Sequence, residues 1–166
     1  KSQELLSLME SDDADDVREL MKYAEGTAGS LMTTEYIGLS TWLTAEQAIN
    51  KLRELAPTAE TIYYLFVVDD EESLMGVLSL RELIIAAPDT PLSQLMRTNI
   101  IKVNPYDDLE RVAELVNKYG LLALPVADAN NTLLGIITVD DILEILIPER
   151  GRLDVHSRLI LHKRHA

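Results

Sequence analysis

Cysteine is absent from the 166 residues, which excludes disulfides, thiolate-bound metal and a thiol nucleophile. Histidine is scarce, and His156, His162 and His165 all lie beyond residue 150. No nucleophile is thus paired with a base along the rest of the chain, and no catalytic residue is expected. Neither a P-loop nor a G-x-G-x-x-G run occurs. Bases are few, with 15 Lys and Arg against 28 Asp and Glu and a net charge of −13. That balance excludes nucleic acid as a partner, because phosphate contacts need clustered Lys and Arg, and it suits cation binding. No apolar run approaches the roughly 18 residues that span a bilayer, and no signal-peptide pattern stands at the start. A chain that begins at Lys1 without Met reads as a fragment.

Apolar residues make up 47% of the chain, enough for a real core. The stretch with most to say is Leu133 to Leu146, LLGIITVDDILEIL. Leu133 to Ile137 reads as a buried strand with Gly135 inside it. Thr138 then caps a helix whose first turn carries Asp140 and Asp141. A strand that runs into a helix N-terminus offers N–H groups to an anion such as phosphate. The adjacent acids suit a ribose hydroxyl or a hard cation. A plain capping motif accounts for the same residues.

The stretch has an earlier copy in LMGVLSLRELII, Leu74 to Ile85. Gly76 matches Gly135, Ser79 matches Thr138 and Glu82 matches Asp141, each at an offset of 59. Further upstream, Leu31-Met32 matches Leu95-Met96 and Ile37 matches Ile101 at an offset of 64. The chain is an internal duplication. Each unit reads short strand, helix, strand, strand, helix, and the first is longer by five residues around Pro57 to Thr61. The first unit opens with a packing turn at Leu31-Met32 and a strand over 37–39. A Thr44/Gln47 capping box follows, with a helix facing inward through Ala45, Ala48, Ile49, Leu52 and Leu55. A strand over 63–68, a polar turn, a strand over 74–78 and a helix over 80–87 complete it. In the second unit Pro91 suits a first helical position, Asp107 and Glu110 form a box-like cap, and Gly120 ends the long helix. Before Gly26, helices are expected over 2–9 and from about residue 12 to Tyr23. The expected division is 1–25 helical remnant, 26–90 first repeat, 91–147 second repeat and 148–166 basic tail.

This order, closed twice by Gly-apolar-apolar-Thr/Ser-x-x-acid, resembles the CBS domain. The resemblance implies an α/β (α+β) fold, a tandem pair (Bateman module) of two pseudo-symmetric β-α-β-β-α halves with an N-terminal helical remnant. It also implies clefts between the halves that bind adenosine nucleotides, with Thr138 at phosphate and Asp141 at ribose in one cleft, and Ser79 and Glu82 in the other. Glu82 departs from the usual Asp by one methylene. A narrower resemblance rests on YAEGTAGSLMTTEY, TIYYLFVVD, GVLSLREL, LPVAD and GIITVDDILEIL, which are similar to the cytosolic region of MgtE-type magnesium channels. It implies a regulatory domain at the cytoplasmic face of a bacterial membrane that senses Mg2+ and gates a transmembrane pore domain in the same full-length protein. It further implies a CBS-mediated homodimer and an ATP cleft lined by Tyr64, Arg81, Glu82 and Leu121.

The residues add their own argument. Between Tyr119 and Glu149 there are five acids and no base. Asp140, Asp141 and Glu144 are helical neighbours whose like charges repel unless neutralised. Mg2+ prefers oxygen and takes one or two carboxylates while keeping water. A divalent ion between these acids and a second acidic surface, such as Asp12 to Asp16, would turn repulsion into attraction and favour a closed state. Asp140, Asp141 and Glu144 are the candidate Mg2+ sensor; the competing reading is a solvated helix end. Arg81 sits just inside a helix N-terminus, where the dipole disfavours a cation. A bound phosphate explains it, and so does a salt bridge to a nearby acid. Of Tyr63 and Tyr64, strand alternation sends one to the core and the other to a cleft. Trp42 is read as a packing or dimer residue. The acid-dense run Asp69 to Glu72 reads as a hairpin turn. The tail, with five bases and one acid after Glu149, is assigned no function. The alternatives to an Mg2+ sensor are a nucleotide-binding CBS pair that regulates a different protein or enzyme, and a dimerisation scaffold.

Overall fold

The computed structural model describes residues 22–59 and 61–146. The expected helix over 2–9, the body of the one over 12–23 and the tail lie outside the described residues. The first repeat contains β1 (Gly38–Ser40), α2 (Ala45–Leu55), β2 (Tyr64–Val68), β3 (Leu74–Ser79) and α3 (Leu80–Ile85), preceded by a short α1 (Ala28–Leu31). The second contains α4 (Leu92–Leu95), α5 (Leu109–Tyr119), β4 (Ala123–Ala127), β5 (Leu133–Thr138) and α6 (Val139–Leu146). A single 3₁₀ turn, Ala56–Thr58, falls where the first repeat is longer.

Strand composition follows from where each face goes. In β2, Leu65, Phe66 and Val67 are all buried, so no polar alternation is possible. Leu65 and Val67 turn to the helices of their own repeat, together with Ala48, Leu52 and Leu83. Phe66 turns the other way, into a cluster with Leu74, Ala123, Leu133 and Ile136 that joins the two repeats. Burying a side chain of that size stabilises by about 1.5–3 kcal/mol. Backbone bonds add to the junction. Leu74 N–H donates to the Asn131 carbonyl at 2.9 Å and Leu133 N–H to the Glu72 carbonyl at 3.0 Å.

The two hairpin turns are built alike. Asp69 Oδ1 accepts from the N–H groups of Glu71 and Ser73, and Asp128 Oδ1 from those of Asn130 and Thr132. Each carboxylate thus closes its own turn. The Thr44/Gln47 capping box forms, Ser79 and Glu82 form another, and Gly120 stops α5 at φ +60°.

The sequence expectation departs from the structure at four places. The first strand of the second repeat shrinks to one parallel bridge, Val103 to Val126, against the three-residue pairing of β1 with β2. Two prolines explain this. Phe66 N–H donates to Ile37 O and Thr41 N–H to Val68 O, whereas the matching positions are Pro125 and Pro105, which have no N–H. Asp108, not Asp107, caps α5, because Asp107 spends its carboxylate on Asn104 N–H. Pro91 is the N-cap of α4 rather than its first residue. Trp42 is 65% exposed and lies in none of the described cores, which sets aside the packing half of its reading and leaves the dimer half.

The leading arms are exchanged. Ala28 and Met32 lie in the core of the second repeat with Leu124, Val126 and Ile137, and Thr33 bridges Ile136 through two backbone bonds. Leu92 lies in the core of the first repeat, and Arg97 bridges Val77 in the same way. Each arm ends in a methionine packed on a strand glycine. A Cβ at Gly76 would come 2.5 Å from Met96 Sδ, and one at Gly135 would come 2.7 Å from the Thr33 carbonyl oxygen and 2.9 Å from Met32 Sδ.

Candidate functional site

A cavity of about 450 Å³ opens where β2 starts and β3 ends, lined by Tyr63, Tyr64, Ser79, Arg81, Ile84 and Leu122 among others. Local folding sets each wall. Leu80 N–H donates to the Tyr63 carbonyl at 3.0 Å, which holds the start of α3 against the residue before β2. Val139 N–H makes the matching bond to the Leu122 carbonyl and brings Leu122 up from the other repeat. Tyr63, Ile84, Ile85 and Leu122 are all more than half exposed. They offer flat apolar surface to a planar ring, with the Arg81 guanidinium and the Ser79 hydroxyl as the polar groups beside it.

The expected cleft residues are distributed as follows. Tyr64, Ser79 and Arg81 line the cavity. Leu121 does not; it packs on the core of the second repeat, and its neighbour Leu122 takes the lining position. Tyr63 and Tyr64 both line it, because Tyr63 precedes the strand and escapes its alternation. Among the described residues Arg81 makes no salt bridge, and the adjacent acid, Glu82, is bound to Arg97. Burial pushes the Glu82 carboxyl up, but the bonds from Arg97 and Ser79 N–H outweigh it and hold the group below its ordinary value. Arg97 was legible only as a surface base, since nothing local to residue 97 points at residue 82.

Thr138, at the matching place in the second repeat, is buried and does not line this cavity. Its hydroxyl donates to Asp141 Oδ2 at 2.8 Å and its N–H reaches the same oxygen at 3.4 Å. Asp140 and Glu144 are exposed on α6. Asp140, Asp141 and Glu144 do not converge, and among the described residues no three carboxylate or imidazole groups could hold an ion together. Asp141 is turned back to its cap, with Oδ2 on the Thr138 hydroxyl. Among the described residues, no helix is long and apolar enough to cross a membrane.

A smaller cavity, about 310 Å³, lies between the first arm and the second hairpin, beside Tyr36, Glu72 and Leu133. The Tyr36 hydroxyl donates to the Leu133 carbonyl at 3.3 Å. Burial, and after it the charge of Glu72, push its pKa up to about 12.

Comparison with known proteins agrees with this geometry. The chain is 42% identical over 155 residues to the magnesium transporter MgtE of Thermus thermophilus, covering 93% of this chain and 34% of the relative. It is 41% identical over 144 residues to MgtE of Bacillus subtilis, covering 87% of this chain and 32% of the relative. The chain therefore spans about a third of the length of the curated relatives it matches. The crystal structure of the cytosolic domain of the Mg2+ channel MgtE in complex with ATP superposes with a TM-score of 0.84 at 43% identity, over 86% of this chain and 58% of that one. The family model of the CBS domain matches twice, at residues 28–89 and 92–148. With one duplicated unit built twice and closed face to face, the chain belongs to the CBS domain family as a tandem pair.

Proposed function

We propose that the chain is the nucleotide-binding, Mg2+-responsive regulatory part of a magnesium transporter, acting at the cytoplasmic face of the membrane on a transmembrane pore domain in the same full-length protein. The observation that carries the reading is the cavity walled by Tyr63, Tyr64 and Leu122 with Arg81 beside it, in a chain 43% identical to an MgtE cytosolic domain that binds ATP. The aromatic and leucine surfaces suit an adenine ring. Arg81, with no acid of its own among the described residues, suits the phosphates. Tyr64, Ser79 and Arg81 are its binding residues, with Leu122 in place of Leu121, and residues 26–90 and 91–147 are the two repeats. On the Mg2+ side, Asp140, Asp141 and Glu144 present negative charge at one helix end and share an ion with a facing acidic surface. Exposed Ile84, Ile85 and Leu143 on α3 and α6 supply apolar surface for a homodimer.

Titration calorimetry with ATP tests the cleft. Wild type is expected to bind, and Arg81→Ala to bind at least about tenfold more weakly, the scale of one lost charged hydrogen bond. Equal affinity in the two proteins would remove Arg81 from the site, and no heat in wild type would remove the nucleotide reading.

A further inference from the structure

The smaller cavity, about 310 Å³, shares no lining residue with the nucleotide cavity. The first arm reaches it through Thr34 and Tyr36, the first hairpin turn through Glu72, and the second hairpin through Thr132 and Leu133. Its aromatic walls are fixed. A Cβ on Gly29 would come 2.4 Å from Tyr23 Cγ, and Tyr23 also stands edge-on to Tyr106 at 5.6 Å. Tyr36 is tied by its hydroxyl to the Leu133 carbonyl and stands edge-on to Phe66 at 6.3 Å. Glu72 is the only charged residue among the described ones that line the cavity. Among the described residues it makes no salt bridge, and its charge is felt at the Tyr36 phenol. Its φ is +62°, a backbone that glutamate rarely adopts and of the kind that gathers at ligand sites.

The second repeat supplies an internal comparison. Fifty-nine residues on, Asn131 holds the same backbone at φ +64°, which suits asparagine. Its side-chain oxygen is occupied, because Lys102 Nζ donates to Asn131 Oδ1. At the offset of 64, Lys102 corresponds to Gly38, which has no side chain to send. Tyr36 lies beside Gly38 instead, its Cε2 3.6 Å from where a Cβ would stand. The second repeat thus brings an ammonium to this corner from its own chain. The first has a carboxylate and a cavity there.

We propose that the cavity beside Tyr36 and Glu72 binds a small free primary alkylammonium, which takes the place that Lys102 fills in the other repeat. Such a group needs one counter-charge and donates three hydrogen bonds. Glu72 supplies the charge, and the Thr132 hydroxyl is a second acceptor on the lining. Tyrosine rings attract the cation further. A hard divalent ion asks for more oxygen ligands, and among the described residues no three acidic or imidazole groups gather.

Titration calorimetry of the full chain with 1,4-diaminobutane, at one fixed salt concentration, tests the site. A chain of charge −13 attracts any cation, so the reading lies in the variants. Wild type is expected to bind, and Glu72→Gln to bind at least about tenfold more weakly. Asp70→Asn removes an equal charge from the same turn outside the cavity and should bind as wild type does. Gly38→Lys supplies an ammonium from the chain itself, leaves Glu72 in place and should abolish binding. No binding by wild type, equal weakening in Glu72→Gln and Asp70→Asn, or unchanged binding in either Glu72→Gln or Gly38→Lys would overturn the proposal. A lysine side chain carries the same group, so Nα-acetyl-lysine amide is titrated as well. Tighter binding of that probe than of the diamine would overturn a free amine as the ligand. Heat from magnesium chloride that is lost in Glu72→Gln but not in Asp70→Asn would overturn it in favour of a metal ion.

Discussion

At the scale of single residues, burial and partners decide what the chain's acids and phenols do. Glu82 is held ionised by Arg97 and Ser79 despite its burial, whereas Tyr36 is held neutral by burial and by Glu72. Because the Tyr36 pKa rises from 10.0 to about 12 on folding, the stabilisation it gives is complete below pH 10 and is lost as pH climbs through 12. We expect the thermal midpoint of wild type to fall across that window more steeply than that of Tyr36→Phe. A parallel fall in the two proteins would deny Tyr36 the role. That Tyr64, Ser79 and Arg81 stand at a cleft was readable through the family resemblance, and all three line the cavity. The choice between Leu121 and Leu122 was not, because both are leucines just before a strand, and only the bond from Val139 N–H to the Leu122 carbonyl tells them apart.

At the scale of elements, backbone donors and close approaches set what each strand tolerates. Gly135 lies under the Thr33 carbonyl, which is tied into the bridge with Ile136 and cannot withdraw without losing a hydrogen bond. Gly38 in β1 is different: a Cβ there would meet only Tyr36 and Val68 side chains, at 3.6 Å and 3.8 Å. Denaturant melts should therefore show Gly135→Ala losing about 2–3 kcal/mol and Gly38→Ala changing by less than about 1 kcal/mol in either direction. Equal losses at the two positions would count against the close approach as the cause. The helices were legible through Thr44 with Gln47, Ser79 with Glu82 and Gly120, since a cap lies within three or four residues of what it satisfies. The missing strand of the second repeat was not, although Pro105 and Pro125 were in plain view. Their cost depends on which carbonyls face them, and that is a matter of pairing between distant segments.

At the scale of the whole molecule, a charge of −13 is gathered in part on α6, where Asp140, Asp141 and Glu144 form no three-ligand site by themselves. If an opposing surface completes the site, Mg2+ should draw the two together. In a chain that includes the acidic residues 12–16, we expect added Mg2+ to reduce the radius of gyration measured by X-ray scattering. Exchange of the three acids for their amides should leave the melting curve nearly unchanged and abolish the contraction. Contraction that persists in the amide variant would place the sensor elsewhere. The amino-acid sequence by itself determined the duplication, the order of strands and helices and most of their ends, because periodicity and capping act over one or two turns of chain. Tertiary structure alone decided that the leading arms trade places, that Phe66 turns to the opposite repeat, and that Arg97 closes on Glu82 fifteen residues away. Each of these depends on two remote segments arriving at one point, a condition that only the folded chain imposes.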